Sequence, residues 1–409
     1  MTTNNEIKVI KLNDSCYLGI PAKGCQQCIK GEKLVLFITG KCAQACHYCP
    51  VSEHKFGNDV IYADEWKIED TLEGHKQLIE EAKLIDAKGA GITGGDPLCA
   101  LDRTCRFIKL LKNEFGNQFH IHLYTPLKLV TEKTLTKLHN AGLDEIRFHP
   151  DLDDDKDWPR LKLAKGTKEN KFDWDIGIEI PCLPDKEQEI KKLIDYSHSI
   201  VKFFNLNELE LSDTKVEHYK LNSKEYQEIY YAKDEISYGV KGSVELGKKL
   251  IEYVKEKGYD KKDLCIYFCT AKLKDQTQLG NRIKRRAKNV AKTVDIITKE
   301  GTLIRGVIYL PELKPGFGYQ ELIKEVQEGK NEKLNKLKLL KLLEEKSAIL
   351  EKNFPKKQFF IDENKFRIIT KKKFVEKNVE KIKGLNLVPA VVEEYPTQDS
   401  LELEIEILD

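Results

Sequence analysis

The chain has 409 residues with 69 Lys and Arg against 67 Asp and Glu, a net charge of +2, 40% hydrophobic residues and 33% charged ones. That length suits two or three domains with a sizeable core, and the balance of apolar and charged residues excludes a disordered or fibrous chain. No run approaches the roughly 18 apolar residues of a membrane span, the first residues lack the basic and apolar regions of a secretory signal, and the near-neutral charge argues against generic nucleic-acid binding, so a cytoplasmic protein with no membrane partner is expected.

Six of the 11 cysteines, Cys16, Cys25, Cys28, Cys42, Cys46 and Cys49, fall in the first 50 residues. In an intracellular chain this crowding points to metal or redox chemistry rather than a disulfide framework. Cys16, Cys25 and Cys28 lie in an N-terminal extension, residues 1–30, and form an incomplete ligand set. Cys269 is the favoured completion, because it ends the apolar run 264–269 where the chain turns polar. Four such thiolates would hold an auxiliary [4Fe–4S] cluster or a zinc ion. Cys99, Cys105, Cys182 and Cys265 read as buried small hydrophobes.

From residue 33 onward, short apolar runs at 33–39, 89–93, 120–124, 145–149, 175–180 and 203–211 alternate with amphipathic helical stretches such as 69–87, 102–114 and 131–141. This alternation predicts βαβ units and a parallel sheet. Several strands carry polar residues at period two: His120, His122 and Tyr124; Arg147 and His149; Asp175, Gly177 and Glu179; Asn205 and Asn207. Each set shares one face. A polar face is out of place in a sheet covered on both sides, so an α/β partial barrel with a polar lumen is predicted over residues 31–260. Its site would lie at the C-terminal strand ends.

Directly after the first of these runs comes Cys42-Ala43-Gln44-Ala45-Cys46-His47-Tyr48-Cys49, a C-x3-C-x2-C loop. Three thiolates on one loop can hold three irons of a [4Fe–4S] cluster and leave the fourth open. The bland alternative is a zinc knob completed by His47 or His54, although closed zinc sites usually use two C-x2-C pairs. After the second run stands Thr93-Gly94-Gly95-Asp96-Pro97-Leu98. Its glycines let backbone groups approach a ligand, and Asp96 can accept from an ammonium.

Further on, residues 212–244 are a Tyr- and Lys-rich connection followed by a helix at 245–257. A strand at 264–269 and a helix at 278–299, basic in its first half, form a region 261–310 that would complete the auxiliary site. Residues 311–409 read as a C-terminal α+β module: a helical segment at 319–352, a strand at 358–370, a helix at 371–383 and strands at 387–408. The basic runs 282–288 and 371–373 are either solvated faces or a phosphate-binding surface.

The loop with Cys42, Cys46, Tyr48 and Cys49 resembles the hallmark of the radical SAM superfamily, C-x3-C-x-aromatic-C after the first strand of a partial (β/α)6 barrel. The resemblance implies that Cys42, Cys46 and Cys49 hold a [4Fe–4S] cluster whose open iron chelates S-adenosylmethionine (SAM). The reduced cluster would split SAM to methionine and a 5′-deoxyadenosyl radical that abstracts hydrogen from a substrate. It places Tyr48 near the adenine. Gly94, Gly95 and Asp96 stand where the family has Gly-Gly-Glu-Pro at the SAM amino group, with Asp for Glu. Arg147, His149, Glu179, Asn205 and Asn207 stand near strand ends that contact the ribose and carboxylate of SAM in the family.

Motifs across most of the chain, among them residues 24–28, 94–98, 205–210, 300–303 and 393–397, are similar to an archaeal group related to pyruvate formate-lyase activating enzymes. This implies an anaerobic oxidoreductase that takes an electron from reduced ferredoxin or flavodoxin. Its hydrogen donor would be a protein glycine Cα, as in glycyl-radical enzyme activation, or alternatively RNA or a small metabolite. A zinc protein binding RNA through the basic helix, and a two-cluster electron carrier, are the rival readings.

Overall fold

The computed structural model describes residues 8–9, 15–168, 171–211, 228–229, 238–331 and 333–408. It divides into two compact units, Met1–Arg282 and Ile283–Asp409. Most of the Tyr- and Lys-rich connection lies outside the described residues.

In the first unit the strands of the main sheet are β1 (Lys8–Val9), β2 (Cys16–Leu18), β3 (Lys33–Phe37), β4 (Ile61–Ala63), β5 (Trp66–Ile68), β6 (Gly89–Thr93), β7 (His120–Thr125), β8 (Glu145–Phe148), β9 (Asp175–Cys182), β10 (Phe203–Glu208) and β11 (Cys265–Cys269). They make one sheet in the order β1-β2-β11-β10-β9-β8-β7-β6-β3-β4-β5. β3, β6, β7, β8, β9 and β10 are parallel neighbours, as the alternating runs predict. β11 adds a seventh parallel strand beside β10, and β2 closes on it antiparallel. The architecture is an α/β partial barrel with a Cys-rich N-terminal extension.

The crossovers are α2 (Leu72–Leu84), α3 (Leu101–Phe115), α4 (Glu132–Ala141), α5 (Glu187–Ser197) and α6 (Ser243–Glu256). Between β8 and β9 the chain runs instead through 3₁₀ turns at Asp155–Lys165. Local signals set these helices: Thr131 and Thr134 form a reciprocal capping box at the start of α4, and Gly142 ends it with a left-handed φ of 99°.

Period two decides which face is which. Ile121, Leu123, Ile146, Phe148, Ile176, Ile178, Ile180, Phe204 and Leu206 are buried with the helices in one core. The residues between them turn to the lumen. A short helix, α1 (Lys23–Ile29), lies against the lumen floor, where the Gly24 amide reaches Glu145 at 3.4 Å. A side chain at Gly24 would collide with His122, Arg147 and Lys33, so only glycine lets α1 seat there.

The helix forecast at 278–299 is a π-helical turn, Leu273–Leu279, running into α7 (Gly280–Val290). The second unit has helices α8 (Tyr319–Gln327), α9 (Lys336–Asn353), α10 (Lys372–Lys377) and α11 (Val379–Lys383). Its antiparallel strands are β12 (Leu303–Tyr309), β13 (Phe360–Asp362), β14 (Arg367–Thr370), β15 (Val388–Glu394) and β16 (Glu402–Ile407), ordered β13-β14-β12-β15-β16. The single strand forecast at 358–370 is a hairpin, and the helix at 371–383 is broken at Asn378. No helix among the described residues is long and apolar enough to cross a membrane.

Candidate active site

The cysteine loop leaves the C-terminal end of β3. Its root is pinned by backbone bonds, Gly40 N to Asn58 O at 2.8 Å and Gly57 N to Gly40 O at 2.9 Å. A side chain at Gly40 would overlap the Lys55 carbonyl. Cys42, Cys46 and Cys49 are half-buried. Gln44 serves two of them: its backbone N–H lies 3.4 Å from the Cys42 sulfur and its side-chain amide 3.3 Å from the Cys46 sulfur. Burial is the chief cause that pushes all three thiols up, Cys42 to about 12. The thiolate form therefore needs a cationic partner, which a metal centre supplies while releasing the protons.

The Gly94–Gly95 turn at the end of β6 is stitched to this root. Gly95 N donates to Thr39 O and Asp96 N to Lys41 O, both at 2.8 Å. A Cβ on Gly95 would lie 2.5 Å from the Lys41 carbonyl oxygen, so the approach requires glycine. Asp96 is fully buried. Its Oδ1 accepts from the Leu98 amide at 3.0 Å and the Thr125 hydroxyl at 2.8 Å, while Oδ2 is buried without a hydrogen-bond partner among the described residues. Burial raises its pKa to about 6.

Loop and turn open on one cavity of about 450 Å³, within the range of small-molecule sites. Cys42, Cys46, Tyr48, Cys49, Gly94 and Gly95 form its mouth; His149, Glu179, Asn207 and Lys274 line its side; Cys28, Lys33, His122 and Tyr124 line its depth. His149 Nδ1 lies 2.8 Å from the Glu179 carbonyl and Nε2 lies 2.8 Å from the Tyr48 hydroxyl. A carbonyl only accepts, so Nδ1 carries the proton and Nε2 accepts from Tyr48. Burial lowers the His149 pKa and keeps the ring neutral.

Deeper in, the charged residues pair with one another, while Asn205 Oδ1 and His120 Nδ1 are buried without a hydrogen-bond partner among the described residues. Arg147 meets Glu145 at 2.5 Å and Glu179 at 2.7 Å. Asn205 and Asn207 donate to Glu179 at 2.9 and 3.0 Å. Burial drives His120 down to about 3 and holds His122 well below the ordinary imidazole value, so both rings are neutral. Of the residues forecast to bind SAM, Tyr48, Gly94, Gly95, His149, Glu179 and Asn207 line the cavity; Asp96, Arg147 and Asn205 stand behind its wall.

The forecast auxiliary set is divided. β2 pairs with β11 so that Cys16 faces Phe268, and both pack in the outer core with the helices. Cys25 and Cys269 cluster instead with Tyr267 on the lumen side, and Cys28 lines the cavity. Asn205 reaches the Cys25 sulfur at 3.1 Å and Gln278 the Cys269 sulfur at 3.4 Å. None of the 11 cysteines is in a disulfide. Among the described residues no three His, Cys, Asp or Glu side chains are arranged to hold one metal ion.

The polar face of β7 announced His122 and Tyr124 as lumen residues. Lys33, Glu145 and the Lys274–Glu210 ion pair at 2.6 Å went unforeseen as site residues. Lys33 was visible as the single charge opening an apolar run. Glu145 sits one pleat below Arg147 on the same face.

The sequence profile of the radical SAM superfamily matches residues 36–174. A Methanocaldococcus jannaschii protein, provisionally named a glycyl-radical enzyme activating enzyme, is 38% identical over 386 residues, covering 93% of this chain and 91% of that one. Among solved structures, coproporphyrinogen III oxidase from Escherichia coli is 11% identical over 58% of this chain and 57% of its own, with a TM-score of 0.34. The [FeFe]-hydrogenase maturase HydG is 12% identical over 64% and 65%, with a TM-score of 0.34. The chain belongs to the radical SAM superfamily.

Proposed function

We propose that this chain is an enzyme that binds a [4Fe–4S] cluster on Cys42, Cys46 and Cys49 and SAM in the adjoining cavity. The observation that carries this reading is the meeting of the three-cysteine loop, Tyr48 and the Gly94–Gly95 turn on one cavity mouth. The residues fit the pair. Three half-buried thiols leave a cluster one open iron, the glycine turn admits a close ligand, and Asp96, buried behind that turn, keeps Oδ2 without a hydrogen-bond partner among the described residues. When bound, cluster and SAM supply a one-electron cleavage of the sulfonium that lets hydrogen be taken from a substrate C–H bond.

The chain's own groups prepare that event. The Tyr48–His149 bond orients the aromatic ring at the mouth. Gly94 and Gly95 present backbone groups, and Asp96 fixes their turn through Thr125 and Leu98. Asn207, which lines the cavity, offers a polar contact to the ribose or carboxylate of SAM, and Glu179, held by Arg147 and Asn205, orients it by accepting from its amide. The α1 helix closes the floor and excludes water. Reduced ferredoxin or flavodoxin supplies the electron. The hydrogen donor on this reading is a glycine Cα of a partner polypeptide, supported by the likeness to the M. jannaschii protein. A second metal site, [4Fe–4S] or zinc, belongs to the same proposal on Cys25, Cys28 and Cys269, with Cys16 left out because it faces the outer core.

Anaerobic reconstitution followed by dithionite and SAM tests the reading. The expected result is 5′-deoxyadenosine, with about eight irons per chain if the second site holds a cluster and about four if it holds zinc. Cys42→Ala should abolish SAM cleavage and remove about four irons, and Cys269→Ala should empty only the second site. Wild-type protein that binds iron but releases no 5′-deoxyadenosine would sink the enzyme reading. Loss of the second metal in Cys16→Ala would restore the four-cysteine set.

A further inference from the structure

The second unit contains a cavity of about 470 Å³ between the turn at residues 355–357 and α10. Five of its nine lining residues are lysines, Lys356, Lys357, Lys371, Lys373 and Lys377, and none is acidic. All five are exposed, and among the described residues none of the five is ion-paired with a carboxylate. The neighbouring Lys372 meets Glu376 at 3.8 Å. Buried Thr370 and Phe374 form the floor, and Thr370 fixes one wall by donating to the Gln358 carbonyl at 2.8 Å. Lys356 adopts a left-handed φ of 68°.

Five like charges around one hollow repel one another unless an anion lies between them. The charge of the whole unit agrees. Residues 283–409 carry 26 Lys and Arg against 21 Asp and Glu, a net +5, whereas residues 1–282 carry 43 against 46, a net −3. The other basic run is largely committed elsewhere: Arg282 is held by Asp64 and Glu65, and Arg286 is buried on the Pro396 carbonyl.

We propose that this lysine cavity docks the phosphodiester backbone of a nucleic acid strand. Exposed ammonium groups act as point charges that suit phosphates without reading bases. A small phosphorylated metabolite would call for buried polar groups that fix its orientation, and the buried polar liner, Thr370, has its hydroxyl proton committed to the Gln358 carbonyl. A membrane surface would call for exposed apolar side chains beside the lysines, and the single aromatic liner, Phe374, is buried. The docking surface goes beyond the proposed chemistry of the lumen and does not depend on which carbon loses hydrogen.

The test is fluorescence anisotropy of the full-length holoprotein with labelled single-stranded 20-mers of RNA and of DNA, across a KCl series. Five phosphate contacts predict a slope of log K against log [KCl] near −3.5, about −0.7 per contact. The double variant Lys371→Glu/Lys373→Glu should lose about tenfold in affinity at low salt and flatten the slope by about 1.4. The milder Lys377→Gln should flatten it by about 0.7. Lys338→Glu/Lys341→Glu on α9, with the same charge change outside the cavity, should retain wild-type binding. Production of 5′-deoxyadenosine should be unchanged in every variant, which separates this result from the SAM assay. A tighter complex with RNA or with DNA identifies the natural strand. Failure of the wild type to bind either strand at 50 mM KCl, or equal losses in the two double variants, would overturn the proposal.

Discussion

At the mouth of the lumen the cysteine loop, the Gly94–Gly95 turn and Tyr48 stand around open space, and Asp96 keeps one oxygen without a partner. At the floor Arg147 is gripped by Glu145 and Glu179, and Glu179 in turn accepts from Asn205 and Asn207. Lumen-facing residues therefore do different work at the two ends. Loop and turn at the mouth border open space, while at the floor the charged groups are paired with one another, although Asn205 Oδ1 and His120 Nδ1 have no hydrogen-bond partner among the described residues. A polar residue facing a lumen is thus a ligand candidate only after its internal partners have been counted.

The contrast can be broken most severely at the floor. Arg147→Ala would leave Glu145 and Glu179 buried without their cation, and should cost about 3–5 kcal/mol of stability by denaturant unfolding. A cost near zero would mean that water reaches these carboxylates and that the floor is not sealed.

At the mouth, Asp96→Asn should change the pH profile of stability. The folded-state pKa of Asp96 lies near 6, above the ordinary 3.8, because burial disfavours the carboxylate. A raised pKa gives stability that is complete below about pH 4 and is lost as pH rises through 6. Between pH 4 and pH 7 the wild type should therefore lose about 2 kcal/mol relative to the Asn variant. Parallel profiles would show that Oδ2 is hydrated.

The smallest effect belongs to Tyr48→Phe. It removes one hydrogen bond and leaves His149 Nε2 without its donor, a cost of about 1 kcal/mol. The aromatic face at the mouth would remain. A cost comparable to that of Arg147→Ala would mean that mouth and floor form one network.

Most of the barrel was legible in advance, because period-two strands and amphipathic helices are local patterns with a direct geometric meaning. The seventh parallel strand was not. Residues 264–269 were recognisable as a strand, but the sheet edge they join depends on pairing with β10, more than 50 residues earlier. The cysteine loop was legible because its three cysteines lie within eight residues. The auxiliary set was only half legible, since its members come from three distant segments. The break in the helix at 371–383 is likewise local and fell below what periodicity resolves.

What the sequence determined by itself is the chemistry held in short spans: the C-x3-C-x2-C loop, the Gly-Gly-Asp-Pro turn, and the polar stripe on each strand. What only the tertiary structure decided is which of those groups share space. Strand register turned Cys16 outward and Cys269 inward, although they lie on neighbouring strands, because Cys16 pairs with Phe268 and shares its face, while Cys269, the next residue along the strand, points to the other. The close approach of Glu145, Arg147 and Glu179 was decided in the same way. Spacing along a chain fixes what a loop can hold, but pairing between distant strands fixes what a lumen residue has left to give.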